Sequence, residues 1–148
     1  MYDSTAKVDK AKFYEGVRAN AEMVFEQICK GEKAESDIIA LDLHCRLPFY
    51  ITKSHIKQAL VRGAVFEINY GSGMFEFQEN GDKNLKLKRQ NFLSNAMTIV
   101  RLSKGRGVIL TSDVNRKVFM RSPIDCVNMT KMLGMSQDQA MNVTTKNC

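Results

Sequence analysis

Apolar residues follow two rhythms along this chain, and the alternation between them lays out the fold. The run Ile38-Ile39-Ala40-Leu41 is apolar on consecutive residues, the habit of a strand covered on both faces within a parallel sheet. After a short loop containing Pro48, Ile56, Ala59 and Leu60 recur at helical spacing between Ser54 and Arg62. Thr52 or Ser54 can cap the start of that helix and Gly63 can end it. Val65 to Tyr70 is a second β-rich run. Strand, crossover helix and strand together predict a βαβ unit, which is right-handed in nearly all cases.

The same rhythm extends to both sides. Upstream, Phe13, Val17, Ala21, Val24 and Ile28 place a helix over Asp9 to Lys30, closed by Gly31, and Met1 to Val8 reads at best as a short polar strand remnant. Downstream, Gly71 to Asn84 is rich in glycine and asparagine and long for a βα connection, which predicts a loop insertion. Lys86 to Lys104 follows as a helix with Leu93, Ala96, Met97 and Val100 as its core stripe, stopped by Gly105 and Gly107. Val108 to Thr111 is the third strand. A polar loop (Ser112 to Ser122), Pro123, a helix near Val127 to Leu133 and a last helix from Ser136 complete the chain, with Ser136 and Gln139 forming a capping box. The expectation is one α/β domain over residues 1–148 with three parallel strands, in either an open doubly wound sheet or part of a (β/α) barrel.

Alternation also assigns faces, because residues two apart in a strand share one. Phe66, Ile68 and Tyr70 should pack on helices. Val65, Glu67 and Asn69 should face the other way, with Asp42 and Ser112 near them, toward a barrel interior or its mouth. Polar groups there form either a site or a hydrogen-bonded plug.

Composition narrows the class. With 44% hydrophobic and 26% charged residues in 148, the chain has the makings of an ordinary globule rather than a disordered segment. No run reaches the roughly 20 apolar residues a membrane-spanning helix needs, and residues 1–30 lack the apolar core of a signal peptide. Cys29, Cys45, Cys126 and Cys148 form no CxxC pair, which points to reduced thiols rather than a disulfide framework or a zinc knuckle.

Charge adds a direction. The net +6 lies wholly in the second half, since residues 1–70 carry ten basic and ten acidic side chains and residues 71–148 carry twelve and six. Between Lys83 and Arg121 there are ten basic residues against Asp113 alone. That density suits either a polyanionic partner or a solvated helix face. Lys104 and Arg106 precede the third strand, while Arg116, Lys117 and Arg121 follow it. Arginine offers phosphate a planar fork and lysine a point charge. Aromatic loop residues suited to base stacking are few: Phe49, Tyr50, Phe75, Phe77 and Phe119. If the polyanionic partner is RNA, backbone and shape recognition is expected over base reading.

Catalytic signatures are thin. GxSxG, P-loop, GxGxxG and HExxH patterns are all missing, and Gly71-Ser72-Gly73 is a weak phosphate cradle without a helix directly after it. Asp42-Leu43-His44 supports one alternative function, a metal-dependent phosphoesterase with Asp42, His44 and Glu67 as ligands. Such enzymes draw ligands from several strands, and His44 alone is more simply a locally hydrogen-bonded side chain. A protein-only interaction module on an exposed half-barrel edge is a third reading.

Several segments, in order, carry a resemblance. They are Arg46-Leu47-Pro48-Phe49-Tyr50, Phe66-Glu67-Ile68-Asn69-Tyr70, Val100 to Gly105, Val108 to Ser112, Arg121 to Asn128, and Leu133-Gly134-Met135-Ser136 with Gln139-Ala140. Together, over about Ile38 to Asn147, they resemble the barrel-forming protein subunit of ribonuclease P and its relative ribonuclease MRP. The resemblance implies a TIM-barrel-like fold, of which this chain would supply the carboxyl-terminal half. It also implies a non-catalytic scaffold in a nuclear and nucleolar ribonucleoprotein that matures tRNA 5′ ends and processes ribosomal RNA. The partners it implies are the catalytic RNA and other small protein subunits, with no cofactor, no metal and no membrane. Arg116 and Arg121 fall in a basic family segment and Arg46 at a basic strand end, so these, with Lys117, Lys104 and Arg106, are the expected RNA- or partner-binding residues. Three departures stand out: relatives carry a further half-barrel upstream, the Gly71 to Asn84 loop is longer than in relatives, and the glycine expected after Arg121 is Ser122 here.

Overall fold

Three short parallel strands carry the architecture. In the computed structural model, which describes residues 21–31, 36–71, 85–114 and 116–146, β1 is Ile38–Ala40, β2 is Val65–Asn69 and β3 is Val108–Thr111. They pair in the order β1-β2-β3, with Ile39 beside Phe66 and Ile68 beside Leu110. Helix α1 is described over residues 21–30. Helix α2 (Lys53–Val61) joins β1 to β2, and α3 (Leu85–Ser103) precedes β3. A 3-10 turn at Lys117–Phe119 then leads to α4 (Pro123–Met132) and α5 (Gln137–Thr145). The remnant expected at Met1 to Val8, the first part of the Asp9 to Lys30 helix and nearly all of the Gly71 to Asn84 insertion lie outside the described residues.

Sequential strand order with the helices in one layer is the arrangement of a barrel segment. A doubly wound sheet reverses its order at a switch point, and none occurs among these strands. Ile39, Phe66, Ile68 and Val108 join Ile56, Ala59, Phe92, Ala96, Ile99 and Val100 in one core, which Val127, Leu133, Met135, Ala140 and Val143 extend. The aromatic and aliphatic face of β2 thus packs on helices as its alternation predicts, with Phe66 and Ile68 fully buried. Tyr70 is buried too, but it lies just past the end of β2.

The opposite sheet face corrects one expectation. The apolar run at Ile38 predicts cover on both sides, yet Ile38 is 51% exposed and Ala40 is exposed as well. Consecutive apolar residues report what a strand can tolerate; only the presence of a second layer decides whether both faces are covered.

Caps fix the helix ends largely as the residues require. Thr52, rather than Ser54, caps α2: its hydroxyl accepts from the His55 N–H while the His55 ring accepts from the Thr52 N–H, both at 3.4 Å. Gly31 ends α1 at φ +77°. The Arg62 guanidinium donates to the carbonyls of Ile28 and Cys29 at 2.9 and 3.2 Å, satisfying acceptors that the end of α1 leaves open. The Ser136–Gln139 capping box forms, and Gln139 also donates to the Lys104 carbonyl at 2.8 Å, tying α5 to the turn before β3.

Two helices differ from expectation. Helix α4 starts at Pro123 instead of near Val127, because proline suits the first helical position and Ser122 caps it by accepting from the Asp125 N–H. On α3 the buried residues are Phe92, Ala96, Ile99, Val100 and Ser103, whereas Leu93 and Met97 are 37% and 46% exposed. Adjacent apolar pairs at 92–93, 96–97 and 99–100 allow two stripes about one residue apart. The chosen stripe buries the larger Phe92 and Ile99.

Candidate nucleic-acid interface

Loops leaving the carboxyl ends of the strands gather the polar groups. On the half-open sheet face Thr111 donates to Glu67 Oε1 at 2.7 Å and Asn69 donates to Asp113 at 3.2 Å. Glu67 and Asn69 are thus hydrogen-bonded on the face that alternation gives them, whereas Asp42, expected beside them, pairs with His44 in the turn after β1. Gly71 closes the same end. Its N–H donates to the Ser112 carbonyl at 2.9 Å, and a Cβ there would come within 2.3 Å of that oxygen, so only glycine fits between the two chain segments.

Asp42, His44 and Cys45 occupy the turn after β1 with one potential ligand atom each, all within 4.8 Å of one another. His44 Nδ1 pairs with Asp42 Oδ1 at 2.5 Å. Burial first, and then the Asp42 carboxylate, push the Cys45 thiol above its ordinary range, which disfavours the thiolate a metal would need. Glu67, the third ligand of the phosphoesterase alternative, is engaged by Thr111 instead. The metal set expected from Asp42, His44 and Glu67 therefore does not assemble: two members share one turn and the third is committed across the sheet.

The six expected binding residues are all exposed, but they do not form one patch. Arg46 follows β1, and Arg116, Lys117 and Arg121 follow β3, so these four belong to the carboxyl end of the sheet. The Arg116 guanidinium lies 5.8 Å from the Phe119 ring centre, a cation–π contact that orients it. The Arg121 backbone N–H donates to the buried Tyr70 hydroxyl at 3.1 Å, anchoring its segment to the core. Lys104 and Arg106 sit at the opposite end, before β3. There they line a groove with Lys53 and Lys57 of α2. Sequence proximity to β3 groups them with Arg116, but a strand separates the two sets.

A residue that sequence reading passed over is Arg101. It lines a cleft with Arg46 and Tyr50, floored by Asn91, Ser94, Asn95 and Thr98 of α3. The signal was present: positions 91, 94, 95, 98 and 101 form an uncharged-to-basic polar stripe at helical spacing. What faces that stripe, the β1–α2 loop, is a tertiary fact. Asn95 donates to the carbonyls of Leu43 and Cys45 at 2.8 and 3.0 Å, and Asn91 to that of His44 at 3.3 Å. These bonds pin the loop to α3.

Of the aromatic candidates for stacking, Phe49 is committed to packing, its ring 4.5 Å from that of Phe25. Phe119 sits beneath Arg116, and Phe75 and Phe77 lie outside the described residues. Tyr50 is 85% exposed. Among the described residues no helix is long and apolar enough to cross a membrane.

Comparison with known proteins gives a consistent result. Residues 16–148 match the family described as RNase P subunit p30. A probable ribonuclease P protein subunit 3 of Schizosaccharomyces pombe is 30% identical over 132 residues, 89% of this chain and 52% of that protein. Ribonuclease P protein subunit p30 of Mus musculus is 28% identical over 112 residues, 76% of this chain and 38% of that protein. Ribonuclease P/MRP protein subunit RPP1 of Saccharomyces cerevisiae is 25% identical over 103 residues, covering 70% and 32% of the two chains. The chain thus spans about half the length of the first of these relatives and about a third of the others.

Proposed function

The chain belongs to the RNase P subunit p30 family, and from that premise we propose that it serves as a non-catalytic, RNA-binding subunit of a ribonuclease P or MRP ribonucleoprotein. In that role it supports maturation of tRNA 5′ ends and processing of ribosomal RNA in the nucleus, including the nucleolus. Its partners are the catalytic RNA and other small protein subunits. The observation that carries the reading is the set of exposed cations at the carboxyl end of the sheet: Arg46, Arg116, Lys117 and Arg121. Loops on a rigid parallel sheet are where such folds place their working groups.

Guanidinium groups bind phosphate oxygens through paired donors and release condensed counterions as they do so. The cation–π contact of Arg116 and the anchoring of the Arg121 backbone to Tyr70 reduce the freedom lost on binding. Lys104 and Arg106 contribute from the other end of the sheet, adding to the attraction that draws a polyanion in. The phosphoesterase alternative has no assembled ligand set to support it.

The test is a binding titration of a structured RNA against salt. The double variant Arg116→Ala, Arg121→Ala should bind on the order of tenfold more weakly, with the slope of log K against log salt shallower by about 1–2. Unchanged affinity and slope would remove these residues from the interface.

A further inference from the structure

The cleft between the β1–α2 loop and α3, about 720 Å³ in volume, carries chemistry that the basic loops lack. It combines a bare aromatic plane, two guanidinium groups and a floor of amides and hydroxyls. The backbone leading to Tyr50 is restrained: Pro48 fixes its own φ, Phe49 stacks on Phe25, and Asn91 and Asn95 hold the start of the loop. Arg46 and Arg101 are exposed on the same cleft, and the described residues give neither an ion pair nor a hydrogen bond. Glu22 is the one acid on the lining. An exposed tyrosine and two uncommitted arginines around a polar floor match an unpaired nucleotide, which presents a π-face, hydrogen-bonding edges and a phosphate together. Leu47, Ile51 and Leu87 also line the cleft, but two arginines beside an exposed ring favour a phosphate-bearing nucleotide over the apolar side chain by which a protein segment would more commonly anchor.

We propose that this cleft receives one unpaired nucleotide of an RNA strand, with the base on the Tyr50 ring and the phosphate on Arg46 and Arg101. The inference rests on the RNA-subunit reading above and deepens it, adding a single-strand subsite to the backbone contacts made by Arg116 and Arg121. Tyr50 and Arg101 are its new residues.

Fluorescence anisotropy with the full chain tests it, using a labelled oligouridylate and, separately, a fully paired RNA duplex. Tyr50→Ala should weaken the oligouridylate on the order of tenfold, since stacking is made per unpaired base, and should leave the duplex within about twofold. Tyr50→Phe, which keeps the ring, should bind the oligouridylate like the parent. Arg101→Ala should weaken the oligouridylate and lower its salt slope by about 0.7. Because Tyr50 and Arg101 are exposed, melting temperatures of all three variants should match the parent. Oligouridylate binding unchanged in Tyr50→Ala and Arg101→Ala, with duplex binding still sensitive to Arg116 and Arg121, would overturn this subsite alone and leave the cleft to a protein segment. Loss of neither RNA in any variant, or no binding of either RNA by the parent, would overturn the broader reading as well.

Discussion

Ser122 stands where the family resemblance leads one to expect glycine, yet its φ of −66° asks for no special residue. Its hydroxyl both accepts from the Asp125 N–H and donates to the Asp125 carboxylate at 2.9 Å, so the serine starts α4 where a glycine would only permit the turn. Cys29 illustrates the reverse case, in which the sequence offers a thiol and only packing sets its reactivity. It is fully buried on the core-facing side of α1, and burial pushes its thiol from about 9 up to about 11, with nearby Arg62 pulling the other way. A raised thiol pKa means the folded protein holds the proton that the unfolded chain releases. The associated stability is thus present below about pH 9 and lost as pH rises through about 11. Timed iodoacetamide labelling of the native protein at pH 8.5, read by peptide mass spectrometry, should therefore modify exposed Cys45 and half-buried Cys126 well before Cys29. In denaturant Cys29 should become as reactive as the others. Rapid native labelling of Cys29 would contradict its placement in the core.

At the scale of elements, existence and order follow from periodicity, whereas rotation about the helix axis does not. The two candidate stripes on α3 satisfy the same spacing rule, and the fold buries the one with Phe92, Ala96 and Ile99. Truncating each side of the choice measures it. Phe92→Ala should cost about 3–5 kcal/mol of folding stability by denaturant titration, the usual loss for a fully buried aromatic side chain. Leu93→Ala, one residue away and 37% exposed, should cost about 1 kcal/mol or less. Equal losses would mean the helix is rotated from the position described. Capping was better encoded: Thr52 with His55 and Ser136 with Gln139 act within four residues of each other, a range over which sequence and structure are nearly the same information. The second duty of Gln139, holding the Lys104 carbonyl across the fold, could not be read that way.

For the molecule as a whole, the telling feature among the described residues is a parallel sheet in which β1 and β3 each pair with β2 alone, while Ile38 and Ala40 of edge strand β1 are exposed on the sheet face opposite Ile39. Unpaired apolar edges seek partners. The isolated chain should therefore associate in a concentration-dependent way in sedimentation velocity, and Ile38→Lys should shift it toward monomer without lowering its melting temperature. A parent that stays monomeric throughout the accessible range would show that the edge is already protected. The distribution of charge also belongs to this scale, because the fold places Lys104 and Arg106 at the opposite end of β3 from Arg116, Lys117 and Arg121.

What the residues dictated by themselves was local or periodic: the βαβ order, the strand face bearing Phe66 and Ile68, the capping boxes, and the family-like segments from Arg46 to Ala140. These depend on contacts within a turn or two, or on patterns that one helix or strand imposes. Tertiary structure alone decided which α3 stripe is buried, that Ile38 remains half in solvent, that Glu67 accepts from Thr111, and that Arg101 joins Arg46 and Tyr50 across 55 positions of chain. Each of those outcomes depends on what stands opposite a side chain, and a linear pattern states which way a residue can face without stating what it meets.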